Sequence, residues 1–256
     1  MRASQMTESQ ANAAHALLAW YEAMGVDELI GETPVDRFAA LPPAAASRPG
    51  RRPVAPSKAA SDTAISPMEV ASLQALQELV GAFEGCSLKR TAKTLCFARG
   101  SETAKIMFIG EAPGRDEDLQ GKPFVGRAGQ LLDLMLAAIG LDESQVYITN
   151  TVYWRPPGNR TPTPQEVAAC APFLARQIEL LNPGVLVLLG GAAAKHILGV
   201  GEGIMRLRGK WLKYACGDRE IATLATLHPA YLLRKPEEKR YAWRDLLMVK
   251  EALEHR

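Results

Sequence analysis

Three short segments of this 256-residue chain bring together residue types with chemical use, and each follows an apolar run. The first spans Gly110 to Gly129, with glycines at 110, 114, 121, 126 and 129 and carboxylates at Glu111 and Glu117. Those glycines let backbone N–H groups approach a ligand, and a helix beginning near Gly126 would offer its positive end to an anion. The Lys-Ser/Thr ending of a Walker loop is absent and the spacing does not match a Rossmann fingerprint, so a plain turn is the competing reading. The second segment ends a strand-like run in Thr149-Asn150. An Asn there either forms a turn or presents an amide whose adjacent donor and acceptor match a pyrimidine edge with N–H beside C=O. The third is Leu227-His228-Pro229-Ala230-Tyr231-Leu232-Leu233-Arg234. A His at a strand end before a Pro-containing loop is placed for catalysis, although a lone His is more often structural.

Four apolar runs have strand character: Lys105 to Ile109, Val146 to Thr149, Val185 to Leu189 and Ile221 to Leu227. Helical periodicity lies at Ala128 to Ile139, Pro164 to Leu181, Ala192 to Leu198 and Pro236 to Glu254. Ser66-Pro67-Met68-Glu69 reads as a capping box that starts a further helix through Phe83. The alternation predicts an α/β fold, a three-layer αβα sandwich around a mainly parallel four-stranded sheet. Ligands of such sheets sit at the carboxyl ends of the strands, which is where all three segments fall.

Upstream, Ser9 to Met24 has an apolar stripe of Ala16, Leu17, Trp20, Tyr21 and Met24, stopped by Gly25. Prolines at 34, 42, 43, 49, 53 and 56 then mark an extended linker. The expected organisation is an N-terminal helical extension (1–32), a Pro/Ala-rich linker (33–60) and a catalytic domain (66–256).

Four cysteines in a chain of this length argue for a reduced, cytoplasmic setting. No apolar run reaches the roughly 18 residues of a membrane span, and the polar first ten residues lack a signal-peptide core, so membrane and export readings fall away. A net charge of +2 excludes binding to nucleic acid by bulk charge. Residues 201–256 nevertheless hold 12 Lys or Arg against 8 Asp or Glu. This excess is either a solvated face or a phosphate-facing surface around Arg206, Arg208, Lys210, Arg234, Lys235 and Arg240.

Taken jointly, GEAPGRDEDLQGKPFVGRAGQLLD (110–133), TNTVYWRPPGNRTPTPQE (149–166), the helix leading to Gln177-Ile178 and HPAYLLR (228–234) resemble the uracil-DNA glycosylase superfamily, above all its iron–sulfur family 4. The resemblance covers roughly residues 70 to 250. It implies a monofunctional glycosylase of base excision repair that flips uracil from single- or double-stranded DNA, hydrolyses its N-glycosidic bond and releases free uracil. A monomer acting at the nucleoid is expected. The alternative in the same superfamily is a tight or covalent binder of uracil-DNA or abasic sites. A covalent relative uses a His in the loop after the second strand, and here that loop, Tyr153 to Arg160, has none.

By this resemblance His228 donates to uracil O2, as the neutral ring or the cation, and Asn150 reads the O4/N3–H edge. Phe124 stacks on the base, and N–H groups of Glu111 and Ala112 complete the pocket. Glu111, favoured by position, and Glu117, favoured by the resemblance, would position water or stabilise the oxocarbenium; for Glu117 a solvated loop charge is the plainer reading. Tyr231, Leu232, Leu233 and Arg234 form a wedge loop, with core packing the alternative for the two leucines. Arg155 and Arg160 join Arg206, Arg208 and Arg234 as DNA contacts.

The resemblance also implies a [4Fe-4S] cluster on four cysteines, a C-x-x-C pair before the first strand and a second pair flanking the helix before the third. Here the first position is Phe83, only Cys86 remaining, and Gly184 to Val187, expected to supply a partner for Cys170, has no cysteine. With Cys96 and Cys216 elsewhere in the sequence, the expectation is no cofactor, the site being filled by packing around Phe83.

Overall fold

The computed structural model describes residues 66–255; the N-terminal helix and Pro/Ala linker expected from the sequence lie outside them. The strands are β1 (Arg99–Gly100), β2 (Ile106–Gly110), β3 (Val146–Asn150), β4 (Val185–Leu189), β5 (Trp211–Cys216) and β6 (Arg219–Thr226). The helices are α1 (Leu73–Ala82), α2 (Arg115–Gln120), α3 (Arg127–Ala137), α4 (Pro164–Leu181), α5 (Gly191–Leu198), α6 (Ile204–Leu207), α7 (Pro229–Arg234) and α8 (Lys239–Glu254).

The sheet has six strands in the order β1-β3-β2-β4-β6-β5, which corrects the expected four. The four central strands are those read from the sequence, and they pair in parallel. Short β1 and solvent-facing β5 are added antiparallel at the two edges. The helix expected from Ser66 is also corrected. Its capping box closes only a single turn at Pro67–Glu69, and α1 starts afresh at Ser72, whose hydroxyl accepts the N–H of Ala75 at 3.1 Å.

Alternation along each strand builds the layers. Met107, Ile109, Tyr147, Leu186 and Leu188 pack with Leu174 and Ile178 of α4 and Ala193 and Ala194 of α5. Ile106, Phe108, Ile148, Val185 and Val187 pack with Leu132 and Leu136 of α3 and Leu246 and Val249 of α8. Both faces are thus covered, as buried parallel strands require. No helix among the described residues is long and apolar enough to cross a membrane. The chain steps from β2 outward to β3 and then back across β2 to β4, so the carboxyl end of β2 lies at a reversal of strand order, where a ligand crevice is expected.

Candidate active site

A cavity of about 240 Å³ opens at that crevice, lined by Glu111 and Ala112 beyond β2, Asn150 at the end of β3, His228 and Ala230 beyond β6, and Phe124. Its outer wall is Pro156, Asn159, Arg160 and Thr161. The three segments singled out by residue type therefore converge. Register explains it: Gly110 pairs with Asn150, so the residues that follow β2 and β3 emerge at the same level.

Gly110 makes the floor possible. A Cβ there would lie 2.5 Å from both Asn150 Oδ1 and the Phe124 ring, so any side chain would push the amide and the aromatic out of place. Phe124 has a left-handed backbone (φ 56), a conformation that costs a bulky residue energy and must be imposed by its surroundings. Gly129 contributes, since a Cβ there would lie 1.7 Å from the Phe124 carbonyl oxygen. Glu117 contributes more. One carboxylate oxygen accepts the N–H groups of Val125 and Gly126, both at 2.9 Å, and the other accepts the Gly114 N–H at 3.1 Å. The carboxylate is buried, lines the cavity and accepts these three donors, so the solvated loop charge is excluded and its visible role is to hold the loop that carries Phe124. Glu111 is half-buried on the cavity wall, and its carbonyl accepts the Thr151 hydroxyl at 2.6 Å.

Asn150 is 1% exposed, and its Oδ1 has no hydrogen-bond partner. A buried acceptor without a donor is costly, so this oxygen stands ready for an incoming N–H. The His228 ring lies 5.5 Å from that of Phe124, centroid to centroid. Its Nδ1 accepts the Ala230 N–H at 3.1 Å. A ring nitrogen that accepts carries no proton, so in the neutral ring the proton resides on Nε2. Burial, and to a smaller extent the positive charge of Arg234, push the His228 pKa down to about 4. The imidazole is therefore neutral at physiological pH and offers Nε2–H as a donor.

The expected DNA-facing residues divide. Leu233 is 38% exposed, but Leu232 is buried against Leu227 and Ala242, so for Leu232 core packing replaces the wedge role. Tyr231 is half-buried, with the Lys235 ammonium 5.8 Å from its ring, and Arg234 is exposed. Arg206 is exposed on α6. Arg208 is not a free phosphate ligand, a second correction: its guanidinium pairs with buried Asp245 and donates to the Tyr241 carbonyl at 2.8 Å. Asp245 also accepts the Thr226 hydroxyl at 2.6 Å and so fixes the end of β6, two residues before His228. Arg155 donates to Asn159 Oδ1 at 2.7 Å, and Arg160 forks onto both oxygens of Glu166 at 2.7 and 2.8 Å. Arg160, the largest cause, holds the Glu166 carboxyl down at about 2. Ser87 and the Thr163 N–H complete that carboxylate, anchoring the outer wall to α4. Sequence reasoning missed the anchoring roles of Thr151 and Glu166, although Thr163-x-x-Glu166 is itself a capping box.

The donor set for a cluster does not complete. Cys86 and Cys170 come together, Sγ to Sγ 3.9 Å. Cys96 instead lies 3.1 Å from the Glu117 carbonyl, and Cys216, the last residue of β5, packs in a different core cluster from the thiol pair. No group of three or more His, Cys, Asp or Glu capable of holding a metal occurs among the described residues. Gly184 to Val187, expected to face Cys170, leads into the central strand β4 and packs in other core clusters; Tyr153 and Trp154 share the apolar cluster of the thiol pair instead. Two thiols do not meet the requirement of a [4Fe-4S] group.

Residues 97–247 match the model of the Uracil DNA glycosylase superfamily. The chain is 46% identical over 156 residues to a type-4 uracil-DNA glycosylase of Archaeoglobus fulgidus, covering 59% of this chain and 78% of that protein. Identity to the type-4 enzyme of Sulfurisphaera tokodaii is 40% over 185 residues, 70% of this chain and 84% of the relative. For the type-4 enzyme of Thermotoga maritima it is 42% over 163 residues, 63% and 83% of the two chains.

Proposed function

The chain belongs to the uracil DNA glycosylase superfamily, and on that premise we propose that it is a uracil-DNA glycosylase that hydrolyses the N-glycosidic bond of uracil in DNA. The observation that carries this reading is the unpartnered, buried Oδ1 of Asn150 beside the neutral His228 ring. Uracil presents N3–H to that acceptor and O4 to the amide N–H. Cytosine has no proton on N3 and carries an amino group at position 4, so both contacts fail and the acceptor stays unpaired. Phe124 supplies the stacking face.

Chemistry follows from where charge develops. As the C1′–N1 bond breaks, its electron pair departs with the base and negative charge grows on uracil O2, where His228 Nε2–H donates. A neutral imidazole stabilises this charge as a hydrogen-bond donor without having to transfer its proton. Deoxyribose becomes cationic, and the Glu111 carboxylate on the cavity wall stabilises it and orients the attacking water. The base must leave the stack to reach this cavity, with exposed Leu233 filling the gap in the duplex. Every group invoked belongs to this one chain, so the site is complete within it, and we propose that it acts as a monomer without a cofactor. The low cysteine count supports a cytoplasmic site of action, at the nucleoid.

The test is incubation with single-stranded and duplex oligonucleotides carrying one uracil, then alkaline cleavage of abasic sites. Strand scission at uracil but not at cytosine or thymine is expected. An uncut uracil strand overturns the reading, and a denaturant-resistant protein–DNA band would show covalent capture instead.

A further inference from the structure

The family implies a cluster at a place where this chain is packed with aromatic rings. Around Cys86 and Cys170 the rings of Phe83 and Phe173 meet at 4.7 Å, and Trp154 stands edge-on to Tyr153 at 6.2 Å. All of them share one apolar cluster with Leu76, Val80 and Leu88. Tyr153 is fully buried, yet its hydroxyl is satisfied by Gln177 Oε1 at 3.0 Å, and Gln177 in turn donates to the Tyr147 hydroxyl at 2.8 Å. The polar atoms inside the nucleus are therefore paired, and Phe83 lies half-buried at its edge. It joins the segment after α1, the chain leaving β3 and helix α4, the same three pieces that hold Ser87, Arg160 and Glu166 at the outer wall of the cavity.

We infer that this aromatic nucleus replaces an iron–sulfur cluster as the fastening of the active-site wall, so that the protein is metal-free and the Cys86–Cys170 pair acts as buried packing and not as a partial ligand set. Thiolate–iron bonds fasten by coordination and are open to oxidants and chelators. Ring packing and excluded water fasten without either liability. The inference rests on family membership and not on turnover, because its primary readouts are metal content and melting temperature.

The full chain, produced with ample iron and sulfide and purified without oxygen, is expected to carry far less than one iron and one acid-labile sulfide per molecule and to be colourless. Uracil excision by the Cys86→Ala/Cys170→Ala double variant should stay within about twofold of wild type, as the loss of two small buried side chains outside the cavity implies. Trp154→Ala should lower the melting midpoint by about 6 to 12 °C. If it does not fold, Trp154→Phe, with a smaller drop and retained excision, carries the same information. About four irons with matching sulfide per chain overturns the proposal, as does a folded double-cysteine variant that has lost excision. Absence of glycosylase activity together with absence of iron would remove the assigned reaction and leave this inference standing.

Discussion

At the scale of the residue, the structure assigns His228 one of the two protonation states that sequence leaves open. Its ordinary pKa of 6.5 falls to about 4 because burial penalises the cation. The neutral form is favoured by the fold, so its contribution to stability is present above 6.5 and is lost as pH falls through about 4. The rate of excision under single-turnover conditions is accordingly expected to stay level through pH 6.5 and to decline only toward pH 4, where protonation takes Nδ1 away from the Ala230 N–H. A rate that falls as pH rises through 6.5 would show that the cation is the working form. For Asn150→Ala, loss of the uracil-edge contacts is expected to lower kcat/KM by about 100-fold or more while the melting temperature holds or rises, since an unpaired buried oxygen is removed. Sequence offered Asn150 and His228 by type and place, because strand ends are where ligands sit. It could not reveal that Glu117 spends its charge on three backbone N–H groups, because that depends on where the loop returns.

At the scale of the element, the short helix α7 carries two leucines with opposite fates. Leu232 is 1% exposed and Leu233 38% exposed, although they are neighbours with the same side chain. Leu232→Ala is expected to cost about 2–5 kcal/mol of stability, read in a denaturant melt. Leu233→Ala should leave the melt unchanged and slow excision from duplex more than from single-stranded DNA, since only the duplex must be pried open. Equal effects on both substrates would take Leu233 out of the wedge role. The central strands were legible as short apolar runs because both of their faces are buried. The edges were not. β1 has two residues, and β5 exposes Trp211, Lys213 and Ala215 in alternation, so neither forms a continuous apolar run. The helices α2, α6 and α7 have only four to six residues and too few turns to show a period. The apolar run through residues 73–80 was visible, but the break before Ser72 was not, because a capping box closes a single turn as readily as it starts a helix.

At the scale of the whole molecule, the small net charge conceals a basic C-terminal stretch from which the structure removes one member. Arg208 is bound to Asp245, whereas Arg206, Lys210, Lys235 and Arg240 are exposed. Apparent affinity for DNA should therefore fall steeply with added salt, and Arg206→Ala should reduce the slope of log affinity against log salt by about one unit. Arg208→Ala should instead lower stability, because it leaves a buried carboxylate without its cation. An unchanged slope in Arg206→Ala would move the DNA track off α6.

The solitary oxygen of Asn150 also bears on what happens once the reaction is over. Free uracil still carries N3–H after its bond to the sugar is cut, so under the proposed reading the product is expected to relieve the same unpaired acceptor as the substrate. A ligand that binds only the folded protein raises its melting temperature in step with concentration, and uracil is expected to do so where cytosine does not. On that reading the feature proposed to confer selectivity is expected to carry product inhibition with it, seen as a rate of excision that falls when free uracil, but not cytosine, is added.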